Sequence, residues 1–202
     1  MVVNAFTTVS EHLLQVVLAA AVSVAWIVAE YLGRSSTWRQ GAPRRPSSAL
    51  DHGTYPVIAL GLAVGMVTTF FSFFLDPLGH LPVEVAGVGI VLVGVGLTTR
   101  FWALHTLGRF FTMPITIRPD HELVRGGPYR WLRHPAYTGG FLTALGVPVV
   151  LGTPVGFLAT LVACVVVYVY RIRIEEAALV SRFGDAYREY TKTTWRLVPG
   201  VY

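Results

Sequence analysis

Charge is what this sequence is short of. Only 13% of its 202 residues are Asp, Glu, Lys or Arg, while 53% are hydrophobic; a soluble domain carries roughly 25% charged residues. Half the usual supply of surface-forming side chains excludes an ordinary water-soluble globule and a disordered chain alike. Cysteine is almost missing: Cys164 stands alone, which excludes a disulfide-stapled secreted scaffold. No Gly-rich phosphate loop follows a strand pattern, and neither a GxSxG nor a Walker sequence occurs. His121 and His134 have no second His or Cys three or four residues away, so no metal is expected. What the chain does have is long apolar runs. With a mean hydropathy of +0.57, it reads as an all-α integral membrane protein.

A transmembrane helix needs about 20 largely apolar residues. Such runs occupy residues 13–32, 55–75 and 83–104. A further apolar block at 137–170 is too long for one span and is broken by a Leu-Gly-Thr-Pro turn at 151–154. It reads as a helical hairpin, and its first arm of ~14 residues covers only about 21 Å. The expectation is five transmembrane helices, the last two forming the hairpin. No basic residue precedes the first run, and its length exceeds the h-region of a signal peptide, so it is expected to remain as a span.

All 16 Lys and Arg fall at 34–45, 100–133 and 171–196. Five spans put those three segments on one side and leave the opposite turns without a basic residue. The positive-inside rule then predicts an outer N-terminus and a cytosolic C-terminus, in the plasma membrane if the cell is prokaryotic. The net charge of +5 is accounted for by orientation and anionic headgroups, with no nucleic-acid partner. Residues 1–106 would hold three helices and a basic cytosolic loop at 33–53. Residues 107–202 would form a catalytic core, with a cytosolic loop at 107–136, the hairpin at 137–170 and a cytosolic tail helix at 171–202.

The 33–53 loop, rich in Gly, Ser, Pro and Arg, has no helical period and reads as a headgroup-facing linker. The 109–135 segment is too long for a plain connector. In the tail, Val180, Phe183, Tyr187 and Tyr190 form one stripe at helical spacing, and Glu176 falls on the same face. A carboxylate there is costly without a partner and is a functional candidate near membrane depth. Glu175, rotated by about 100°, points elsewhere; a solvated acidic turn beside Arg171 is its plainer reading. His134 precedes Pro135 and so sits at a forced break, with Pro135 set to start a helix. Phe70, Phe71, Phe73 and Phe74, with the glycines at 87, 89, 94 and 96, could line a lipid-tail tunnel or pack helices closely.

The runs GGPYRWLRHPAYTGGF (126–141), RIRIEEAAL (171–179) and FGDAYREYTKTTWRLVP (183–199), with LGRFFT (107–112) and HELVRGGPYR (121–130) upstream, resemble the isoprenylcysteine carboxyl methyltransferase family. Phospholipid N-methyltransferases and membrane sterol reductases share parts of the pattern. The resemblance implies an S-adenosylmethionine-dependent methyltransferase whose lipid-tailed acceptor arrives from the bilayer. By motif position the cofactor pocket would include His121, Leu123, Val124, Gly127, Tyr129, His134, Pro135, Tyr137, Glu175 and Glu176. Arg171 would engage the methyl-accepting carboxylate, with Glu176 the second catalytic candidate. A carboxylate with a pKa near ~4 is already ionised, so it needs a cationic clamp, alignment and exclusion of water rather than a base. An amine or thiol acceptor would instead call on Glu176 or His134 as base. The acceptor itself stays open at this stage: an isoprenylcysteine, a free isoprenoid or fatty acid, a small thiol or a phospholipid amine. A nicotinamide-dependent lipid reductase and a non-catalytic scaffold are the other readings.

Overall fold

The computed structural model describes residues 8–42, 51, 53–75, 78–112, 114–116 and 120–200. Arg44, Arg45 and Arg118 of the basic segments lie outside them. The main α-helices among the described residues are, in order, α1 (Leu13–Arg39), α2 (Thr54–Leu75), α3 (Ala86–Leu107), α4 (Pro135–Val150), α5 (Pro154–Phe183) and α6 (Asp185–Lys192). Among the described residues the only β pairing is an isolated bridge between Leu132 and Trp195. Among the described residues four helical stretches, Leu13–Arg39, Pro56–Leu75, Val83–Phe110 and Pro154–Phe183, are long and apolar enough to cross a membrane. Their outward faces are greasy. Ile27, Leu60, Phe70, Val91 and Val162 are all more than half exposed, which only a lipid solvent makes cheap. This is a multi-pass membrane protein.

The 16-residue α4 is the shortest of the five apolar helices and the most enclosed, packing on α3 while α5 packs on α2. Small residues make the α3–α4 approach possible. A Cβ on Gly139 would lie 2.6 Å from the carbonyl oxygen of Gly96, and one on Gly146 would lie 2.8 Å from that of Gly89. Gly89 and Gly96 therefore serve helix packing, whereas nothing lies within 4 Å of a Cβ at Gly87 or Gly94. Phe70 and Phe71 face outward and Phe73 is buried. Proline opens both arms of the hairpin, at Pro135 and Pro154, because its fixed φ suits a first turn and its missing N–H is not needed there.

Two expectations are corrected. The 33–53 loop is not linker throughout, since α1 continues to Arg39. Its added turns are held by tertiary packing: Gly33 abuts Leu104, Thr37 is fully buried, and Gln40 reaches Gly108. The apolar stripe of the tail is not one helix. Its first part is the end of α5, which runs unbroken for 30 residues, about 45 Å, and so extends past the membrane. Gly184, at φ 54°, then breaks the rod, and Tyr187 and Tyr190 belong to α6.

Helices α1 to α5 run alternately between two ends of the bundle. At one end the amide of Gln15 donates to the Leu81 carbonyl at 3.2 Å, and the Leu81 N–H donates to Gly152 at 2.8 Å. These contacts join the start of α1, the α2–α3 turn and the hairpin turn. At the other end the tail pairs with the start of α4, as the N–H groups of Arg133 and His134 donate to Trp195 and Arg196 at 2.7 and 3.1 Å.

Candidate active site between two cavities

The polar end is assembled by Arg133. Its Nε donates to Glu176 at 2.9 Å, and its Nη1 donates to the carbonyls of Thr191, at 3.0 Å, and Thr194. Arg196 donates to the second oxygen of Glu176 at 3.0 Å, and His134 Nε2 lies 3.5 Å from the first. The Tyr190 hydroxyl donates to the Tyr129 carbonyl at 2.6 Å, and Arg125 donates to the Ala186 carbonyl at 2.8 Å. The loop at 120–134, the tail and the end of α5 are thereby closed on one another.

They enclose a cavity whose walls include His121, Leu123, Val124, Tyr129, His134, Tyr137, Arg171 and Glu175. Gly127, Pro135 and Glu176 do not line it. Gly127 is a turn at φ 55° packed against Thr106 and Trp102, and Pro135 is fully buried at the start of α4. Glu176 lies behind the wall, with both oxygens taken by guanidinium groups. It is Glu175 whose carboxylate faces the cavity, where the Tyr137 hydroxyl donates to it at 2.6 Å.

Phe110, Phe111, Thr112, Glu122, Phe183, Tyr187 and Tyr190 also line the cavity, and motif position had not singled them out. For Tyr187 and Tyr190 the signal was present, in the spacing of the tail stripe. The Tyr187 hydroxyl is buried with no hydrogen-bond partner among the described residues. Burial, reinforced by the charges of Glu176 and Glu175, pushes the Tyr187 phenol far up. Burial, with help from Glu175, does the same for Tyr129, and burial pushes Tyr190 up to about 12. These phenols stay protonated at neutral pH. They can donate hydrogen bonds but offer no phenolate base.

A second cavity, of about 600 Å³, lies among the helices. Trp26, Ile27, Ile58, Leu62 and Met66 make it apolar, while Glu30, Arg34 and Arg100 add a polar wall. Arg100 Nη2 donates to Glu30 at 3.0 Å, and its Nη1 donates to the Ala136 carbonyl at 2.9 Å. Phe111, Thr112, Tyr137 and Arg171 border both cavities. At that boundary Arg171 Nε donates to the Tyr137 hydroxyl at 2.7 Å. Its Nη1 donates to Asp51 at 2.9 Å. A cation, a hydroxyl and the Glu175 carboxylate thus form one hydrogen-bonded row from one chamber to the other.

The model of the isoprenylcysteine carboxyl methyltransferase family matches residues 88–181, which hold most of α3, the whole of α4, most of α5 and the whole row from Arg171 to Glu175. Residues 88–181 of this chain are therefore similar to that family. The chain is 33% identical over 158 residues to the protein-S-isoprenylcysteine O-methyltransferase of Dictyostelium discoideum, covering 77% of this chain and 65% of that protein. It is 46% identical over 114 residues to the Schizosaccharomyces pombe protein of the same name, covering 54% and 46%. Among solved structures, it resembles the eukaryotic intramembrane Ras methyltransferase, isoprenylcysteine carboxyl methyltransferase. The TM-score is 0.57 at 28% identity, over 73% of this chain and 52% of that one. The chain thus spans between about half and two thirds of the length of these relatives. Asp51, Glu30 and the α6 tyrosines lie outside the family segment.

Proposed function

We propose that this protein is a membrane carboxyl O-methyltransferase, with the methyl donor in the cavity under the tail and a lipid-tailed carboxylate in the intramembrane cavity. One observation carries the proposal: Arg171 and Tyr137 stand at the boundary of both chambers. A donor and an acceptor of opposite solubility can therefore meet without leaving their own solvents.

The donor set of the first cavity suits S-adenosylmethionine. Glu175 offers a carboxylate to a cationic or hydroxyl-bearing ligand, the buried Tyr187 hydroxyl offers a hydrogen bond, and Phe110, Phe183 and Tyr129 offer flat apolar faces. When bound, that cofactor supplies an electrophilic methyl group on a sulfonium. Everything else falls to the protein. Arg171 holds the acceptor carboxylate, which is already ionised. Tyr137 fixes the plane of the guanidinium by accepting from its Nε. Phe111 and Thr112, shared by both walls, keep water from the junction, and a dry junction strengthens the ion pair. Glu176, engaged by Arg133 and Arg196, acts as a positioning residue behind His134 rather than as a base.

The charge of the second cavity favours an anionic acceptor over a phospholipid amine. Among its described lining residues stand the guanidinium groups of Arg34, Arg100 and Arg171 against the single carboxylate of Glu30. An S-prenylated cysteine with a free carboxylate, or an isoprenoid acid, fits both the polar and the apolar part. The alternation of α1 to α5 between the two ends supports five crossings, with α4 sunk among its neighbours. The basic segments at one end support a cytosolic site and a cytosolic C-terminus.

The test is thermal stability in detergent with S-adenosylhomocysteine, with NADPH and with neither, followed by methyl transfer to a small S-prenylated cysteine. S-adenosylhomocysteine at 100 times its dissociation constant is expected to add ~2.7 kcal/mol, and the acceptor is expected to become a methyl ester. Stabilisation by NADPH alone would overturn the reading in favour of a lipid reductase.

A further inference from the structure

We infer that Asp51 is a positioning residue for Arg171, binding it to the wall that the two cavities share; the inference rests on the reading of Arg171 as the acceptor clamp. Asp51 lies outside the family segment and is buried, with 6% exposure. A single carboxylate oxygen, Oδ1, gathers donors from three separate elements. Arg171 Nη1 on α5 donates at 2.9 Å, the Thr54 hydroxyl at the start of α2 at 2.8 Å, and the Ile115 N–H at 2.9 Å. The Thr54 hydroxyl also accepts from Nη1. With Tyr137 on Nε, the guanidinium is held at two nitrogens before any acceptor arrives.

Both the charge and the geometry of Asp51 bear on turnover. A buried guanidinium without a counter-charge is costly; Asp51 supplies that charge by direct contact in the resting protein, beside Glu175 on the far side of Tyr137. An incoming lipid carboxylate must then share the guanidinium with Asp51, which weakens its grip but fixes the direction in which it is held. Since the value of a clamp lies in orientation, the trade favours turnover over affinity. The bond to Ile115 extends the effect to the neighbouring stretch, whose Phe111 and Thr112 separate the chambers.

Asp51→Asn separates charge from shape, because the amide oxygen can still accept from Thr54 and Ile115. In the full-length protein, with S-adenosylmethionine and a small S-prenylated cysteine, kcat is expected to fall at least tenfold. KM for the acceptor should stay level or drop, and the thermal shift by S-adenosylhomocysteine should persist. A kcat within twofold of wild type would overturn the inference. So would a parallel loss of kcat, melting temperature and the cofactor shift, which marks a mere structural strut. If Asp51→Asn is not recovered folded, Thr54→Val removes the hydroxyl shared by Asp51 and Arg171 and is read by the same split, with a smaller fall expected. An inactive wild type would sink the methyltransferase reading itself, a result distinct from an active wild type beside an unaffected Asp51→Asn.

Discussion

Adjacent carboxylates at 175 and 176 have opposite duties because a helix turns about 100° between them. Glu176 is 13% exposed and sits between Arg133, Arg196 and His134, whereas Glu175 is 29% exposed and faces the cavity. Removing each charge should have a different consequence. Glu176→Gln leaves two guanidinium groups with a neutral partner and should lower folding stability by about 1–3 kcal/mol, with a matching fall in melting temperature. Glu175→Gln should leave stability near wild type and weaken S-adenosylhomocysteine by about 10–100-fold, the worth of a charge-assisted hydrogen bond. Calorimetry for binding and a melting curve for stability check the pair; interchanged results would contradict the assignment.

Element packing in this molecule is limited by how closely α3 and α4 approach. Hydrocarbon offers no hydrophobic drive between helices, so van der Waals fit and backbone proximity must hold them. Gly139 sits where an added Cβ would meet the Gly96 carbonyl and the Arg100 N–H at 2.6 Å. Gly139→Ala must push α4 away from α3 and should cost about 1–3 kcal/mol. Gly94→Ala, with nothing within 4 Å, should melt like wild type. Equal behaviour of the two variants would show that the contact contributes nothing. Because α4 also carries Tyr137, the Gly139 variant should lose activity along with stability.

At the scale of the whole molecule, the proposed cytosolic site requires an odd number of crossings between the α1 start and the tail. The lone Cys164 is buried, so a Cys164→Ala background is free of thiols and permits a direct test. In intact cells a membrane-impermeant maleimide should label Leu78→Cys, at an exposed position in the α2–α3 turn. It should not label Glu189→Cys on the exposed face of α6 until the cells are opened. Labelling of both from outside would contradict the proposed orientation and place the donor cavity beyond reach of cytosolic cofactor.

Local chemistry alone settled the helical class, the apolar runs and the proline-opened hairpin. Each of these follows from periodicity, run length or the backbone restriction of a single residue. Partners far apart along the chain decided the rest. Packing of Gly33 and Thr37 carried α1 past its apolar run, and Gly184 split a stripe that spacing had joined. Two arginines from the loop and the tail determined which of the neighbouring glutamates turns inward to a salt bridge. Asp51 meets Arg171 across 120 residues, a pairing that no local pattern encodes, because a buried charge chooses its counter-charge by position in space.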